Sequence, residues 1–163
     1  MNTDIRRPQH AHLRQSGFTM VEVLVALVVL AIGLLGIAAL YLNSLQSGRT
    51  AIYRTQAVNL AADLADRIRV NRTAQAAYAT LFADAEAEVA GCFTTGGCID
   101  TDLAASDLAR WKAALAQLLP NGQGQVVFTP PVGAGEPAGY VIMVQWSEVG
   151  EAAPITFQFG FQT

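Results

Sequence analysis

The chain has 163 residues, 52% of them hydrophobic and 14% charged, with ten basic against thirteen acidic side chains. That length suits one domain with a modest core plus a membrane segment, and the acidic balance argues against nucleic acid as the main partner, since phosphate binding draws on clustered Lys and Arg. Both histidines, His10 and His12, precede Gly17, so the remainder of the chain can form neither Ser-His-Asp nor Cys-His catalysis nor an imidazole metal site.

Residues 1–17 are polar and basic through Arg6, Arg7 and Arg14. Then comes SGFTMVEVLVALVVLAIGLLGIAALYL, Ser16 to Leu42, which is continuously apolar from Phe18 onward apart from Glu22. About 20 such residues cross a bilayer as a helix, so 18–42 is read as a transmembrane helix. A carboxylate near the centre of such a helix costs roughly 2.5–3.5 kcal/mol. Near the end it either snorkels to water or has a partner. A secretory signal places its apolar region upstream of the cut and loses it; here the apolar run follows Gly17.

Gly17, Phe18, Thr19 and Glu22 match the signature of the type IV pilin and pseudopilin family, which the chain resembles. The resemblance implies that 1–17 is a leader, cut after Gly17 by prepilin peptidase, and that Phe18 is then N-methylated. It also implies that Glu22, in a motif completed by Thr19, neutralises the new N-terminal amine during filament assembly. A carboxylate paired with an ammonium group in a dry helix bundle is no longer an orphan charge. The basic leader sets the orientation by the positive-inside rule: a single pass through the inner membrane, N-terminus cytoplasmic, everything beyond Leu42 periplasmic. Without Arg6, Arg7, Arg14 and Asp4, seven basic and twelve acidic side chains remain, a net charge of −5. Gly33 and Gly36 permit close helix approach or weaken the helix by about 1 kcal/mol each. Ala39 stands where major pilins typically carry a proline.

From 43 to about 72 the pattern turns amphipathic. Leu45, Ile52, Leu60, Leu64 and Ile68 recur at helical spacing, widened by Tyr53 and Ala57, and Asp63 and Arg67 are spaced for an (i, i+4) pair. Asp63, Asp66, Arg67 and Arg69 are read as a solvated face. No proline occurs between Pro8 and Pro120, so one helix is predicted from Phe18 to about Arg72, on the order of 80 Å long. The strings LVALVVLAIGLLGIAALYLNSLQS, YRTQAVNLAADLADRIRVNR and DLARWKAALAQLLPNGQG resemble the minor pilins called type IV pilus modification protein PilV.

Residues 73–163 form the head. The Ala-rich stretch 73–90 reads as a short helix or an irregular packed segment. Cys92 and Cys98 in CFTTGGC are expected to form a disulfide in an oxidising periplasm, with Gly96 and Gly97 supplying the turn; a redox pair would call for C-x-x-C spacing. Thr101 or Ser106 is expected to cap a helix that presents Leu108, Trp111, Leu115, Leu118 and Leu119, with Trp111 as a core anchor, and that stops at Pro120-Asn121-Gly122. QVVFTP, GYVIMVQWSEV and ITFQFGFQ read as strands of a three- or four-stranded antiparallel sheet, one face on the long helix and the other partly wet.

The expected fold is therefore α+β, the type IV pilin fold. No phosphate loop, dinucleotide fingerprint or metal-ligand cluster is visible, so no cofactor, no metal and no enzymatic activity are expected. The expected function is that of a minor pilin in a priming or tip complex. Its partners would be prepilin peptidase, other minor and major pilins, the inner-membrane assembly platform and membrane lipid. The alternatives are a minor pseudopilin of a type II secretion system and a signal-anchored periplasmic binding protein.

Overall fold

The computed structural model describes residues 17–163 apart from 95 and 134. The calls on Arg6, Arg7, His10, His12 and Arg14 lie outside the described residues. Two compact units divide at residue 43.

In the first unit the chain enters α1 (Met20–Val70). Thr19 acts as its cap: the Thr19 hydroxyl accepts from the Glu22 backbone N–H at 3.3 Å, and the Thr19 carbonyl accepts from Val23 N–H at the same distance. Four amides at a helix start lack helical partners, and this satisfies one of them. The helix therefore begins at Met20, two residues later than predicted. It continues unbroken through Gly33, Gly36 and Ala39. A Cβ added at Gly33 or Gly36 would meet nothing within 4 Å.

The second unit contains the rest of α1, a 3₁₀ helix (Arg72–Tyr78), α2 (Asp100–Leu118) and strands β1 (Gln123–Thr129), β2 (Gly139–Trp146) and β3 (Ile155–Gln162). The strands form one antiparallel sheet in the order β1-β2-β3. One sheet face, through Val126, Tyr140, Ile142, Val144 and Trp146, joins Ala57, Ala61, Leu64, Ala65 and Ile68 of α1 in a single core. The face of α1 in this unit is thus lined largely by alanines, which let the helix lie close to its neighbours. Leu45 and Ile52, expected on that stripe, are exposed instead. A bare apolar period does not distinguish side chains that meet a core from those left for another surface.

α2 is fastened to α1 by Trp111, buried to 2% exposure, whose indole donates to the Leu60 carbonyl at 3.0 Å. Gly124 makes this approach possible, because a Cβ there would sit 2.3 Å from the Trp111 ring. Gly122 is equally constrained by the Leu115 carbonyl, and Asn121 takes φ 52° to turn the chain into β1. Neither Thr101 nor Ser106 caps α2. The cap position is Ile99, without a side-chain bond, and Asp100 and Asp102 complement the helix dipole in the first turn. Ser106 is buried within the helix and accepts from the Val89 amide at 2.9 Å. Leu118 is exposed, while Leu108, Leu115 and Leu119 are buried as expected.

Candidate functional site

The motif residues stand together at the start of α1. Gly17 and Phe18 precede the helix in non-helical backbone, Thr19 caps it, and Glu22 lies in its first turn. All four are exposed, Phe18 to 81%. Thr19-Met20-Val21-Glu22 is the S/T-x-x-E pattern of a capping box. That signal stands in the sequence within the processing motif, and it gives Thr19 the additional work of starting the helix.

Beyond Glu22 the apolar side chains are uncovered on every side. Leu24, Val28, Leu35 and Leu42 are each exposed by more than half. α1 contains a stretch long and apolar enough to cross a membrane, and none of that stretch is buried by protein. A helix hydrophobic all round is one built for an apolar surrounding.

In the second unit the charged groups are engaged with one another. Asp107, 5% exposed, accepts from Arg67 at 2.9 Å through Oδ1 and from the Tyr78 hydroxyl at 2.9 Å through Oδ2. Arg67 also donates to Asp63 at 3.0 Å. Buried Asn71 donates to Tyr78 Oη and to the Asp100 carbonyl. Burial, with the Asp107 carboxylate beside it, pushes the Tyr78 hydroxyl pKa well up. Arg67 is therefore more than part of a solvated face, because it joins α1 to α2. Asp66 and Arg69 do pair on the surface, at 2.7 Å.

The Cys92–Cys98 disulfide is formed, with Cα atoms 4.7 Å apart. Gly97, at φ 64°, supplies its turn. Arg110 of α2 holds this loop, stacking on Phe93 and donating to Glu88 at 2.5 Å. Lys112, the sole lysine of the chain, donates to Thr80 Oγ1, the Leu81 carbonyl and the Asp84 carbonyl at 2.7–2.8 Å. Its desolvation lowers the amine pKa. These contacts hold loops to helices.

A cleft of about 280 Å³ opens beside α1, lined by Arg49, Tyr53, Pro120 and Glu148 among others. Glu148 accepts from the Trp146 indole at 2.9 Å and lies 3.7 Å from Arg54. Among the described residues no group of three or more His, Cys, Asp or Glu could hold a metal ion.

Two family models match the chain. The prokaryotic N-terminal methylation motif covers residues 12–38, and the Tt1218-like family, described as type IV pilin Tt1218, covers residues 39–109. No curated protein and no solved structure matches. The two models run without a gap from the basic residues before the motif through the uncovered helix and into α2, and the long helix set on a C-terminal antiparallel sheet is the arrangement that such a motif leads one to expect. Over residues 12–109 the chain is similar to type IV pilins, and its uncovered apolar helix, long enough to cross a membrane, and its C-terminal antiparallel sheet agree with that likeness.

Proposed function

We propose that this chain is a type IV pilin processed by prepilin peptidase, a minor subunit of the PilV modification type that promotes pilus assembly, acting through surfaces and not through a catalytic site. The observation that carries the reading is the exposed Gly17-Phe18-Thr19…Glu22 motif at the head of an apolar helix that no part of the chain covers. Residues 1–17 are the leader, cut after Gly17, and Phe18 becomes the methylated N-terminus. Residues 18–42 hold the subunit in the inner membrane in a single pass, with the head in the periplasm. The amphipathic part of the helix begins at 43 and ends at Val70, two residues short of the predicted Arg72, and the rest of the chain to 163 completes the head. On extraction by the assembly platform, the same apolar surface is reburied against other pilins.

Glu22 is the residue that separates a filament subunit from a merely tethered protein. Opposite charges about 4 Å apart attract by roughly 4 kcal/mol at an effective dielectric of 20, before desolvation is subtracted. Glu22→Ala leaves membrane insertion and leader cleavage intact but blocks entry into filaments. The test is complementation of a deletion strain, scoring surface pili and subunit level together. Normal piliation at normal subunit level would rule out this role. Loss of protein secretion with pili intact would favour a type II secretion pseudopilin instead.

A further inference from the structure

The two edges of the sheet are treated differently. At the β1 edge, Thr80 pairs with Val126 through both backbone bonds, at 2.9 and 3.1 Å, and the following loop is held by Lys112 with Asp84 and Glu86 beside it. That edge is bridged at Val126 and has charged groups beside it. At the other edge, β3 pairs with β2 over all eight residues without a bulge, and among the described residues its outer side has no partner.

The backbone pattern shows which groups are free. Thr163 and Ala138 exchange both backbone bonds, at 3.0 and 3.2 Å. Antiparallel ladders alternate, so Phe161, Phe159 and Phe157 also bond inward to β2. Thr156, Gln158, Gly160 and Gln162 turn their N–H and C=O groups outward. Exposed edges of this length are ordinarily blunted with a charge, a proline or a bulge. Ile155 to Thr163 has no charged side chain and no proline. On the core side, Phe157, Phe159 and Phe161 are only half-buried, although their β2 partners Val144, Ile142 and Tyr140 are fully covered. The Arg69 guanidinium already lies 4.8 Å over the Phe161 ring, so a further strand would supply partners for the outward amides and added cover chiefly for Phe157 and Phe159.

We propose that the β3 edge is a strand-acceptor site, taking an extended, uncharged segment of another protein as a fourth strand. The segment alternates, apolar toward the phenylalanine row and small or neutral-polar toward Gln158 and Gly160. Main-chain bonds supply the affinity and the alternate side chains the selection. β3 itself carries no charge, and the cation beside it, Arg69 over Phe161, is already paired with Asp66; a neutral strand is favoured, since a charged one would lose solvation without gaining a pair. The inference does not depend on the role in pilus assembly.

The test is backbone amide exchange on the full chain in detergent, with and without an acetylated and amidated nine-residue peptide of alternating Thr and Val. The amides of Thr156, Gln158, Gly160 and Gln162 should exchange at least tenfold more slowly with peptide, while those of Ile142 and Val144 do not change. Gln158→Pro removes an outward N–H without breaking a bond to β2 and should abolish the protection. Gln158→Lys, which keeps that N–H, should weaken it. Unchanged exchange at the four amides overturns the proposal, as does equal protection in Gln158→Pro. Protection that grows with protein concentration in the absence of peptide also overturns it, because the occupant would then be a second copy.

Discussion

The Trp111 indole donates to the backbone carbonyl of Leu60 at 3.0 Å, joining helices from residues 51 positions apart in the chain. The ring also lies against Gly124 at the start of β1. One side chain thus holds α2, α1 and the sheet in register. Trp111→Phe keeps most of the apolar contact and loses the bond, a cost of about 1 kcal/mol. Trp111→Ala should cost about 3–5 kcal/mol. Denaturant unfolding of the detergent-solubilised chain, followed by near-UV circular dichroism, distinguishes the two, and equal effects would contradict this account.

Processing is read out by mass. The membrane form should begin at N-methylated Phe18, and Gly17→Ala should leave the longer precursor, since a side chain beside the scissile bond obstructs the peptidase. A mature chain beginning at Met1, or downstream of Leu42, would refute the assignment of the cut.

Tyr78 should titrate late. Its hydroxyl is buried and donates to Asp107, so its pKa in the fold lies above the ordinary value of about 10. The unfolded chain therefore releases this proton first. The stabilisation is fully present below about pH 10 and is lost as the pH rises above it. Absorbance at 295 nm should show a delayed fraction to which Tyr140, raised by burial, also contributes. Tyr78→Phe should remove part of that fraction and flatten the loss of stability at high pH. A single early transition would contradict the buried position.

Gln75 sits at φ 41°, ψ −111° within the 3₁₀ helix, a conformation that suits glycine. Its side chain is exposed, and its carbonyl accepts from the Tyr140 hydroxyl at 3.3 Å, a backbone contact that any residue there would keep. Gln75→Gly should raise stability by about 0.5–1 kcal/mol, as relief of backbone strain outweighs the added freedom of the unfolded chain. A lower denaturation midpoint for the variant would show that the strain is absent.

Much of this was legible in advance because the strongest signals are local. The apolar run to Leu42, the strand at Thr156 to Gln162 and the stop at Pro120-Asn121-Gly122 each declare themselves within a few residues. The closure of Cys92 on Cys98 was expected from the periplasmic reading, and the two sulfurs are joined. What stayed hidden depends on contacts between distant residues. Arg67 looked like surface charge until α2 placed Asp107 against it, 40 positions away. Ser106 looked like a cap, yet its hydroxyl serves Val89. Leu45 and Ile52 carry the right period and remain outside the core, because burial is decided by where the sheet lies. At the motif, Glu22 was legible as a charge in an apolar run, whereas Thr19 needed the helix start to be located before its capping role could be seen.

The clasp around Lys112 has a consequence for chemical modification. Its ammonium group is enclosed by three oxygens, and the chain has no other lysine. Amine-reactive reagents applied to the intact protein should therefore report on a lysine whose three donors are already engaged. Acylation of Lys112 removes the donor shared by Thr80, Leu81 and Asp84, so it should proceed faster in molecules whose segment from Thr80 to Asp84 has come away from α2. The shortfall of that rate below the rate of an unengaged amine measures how firmly this part of the head is held, with no engineered probe.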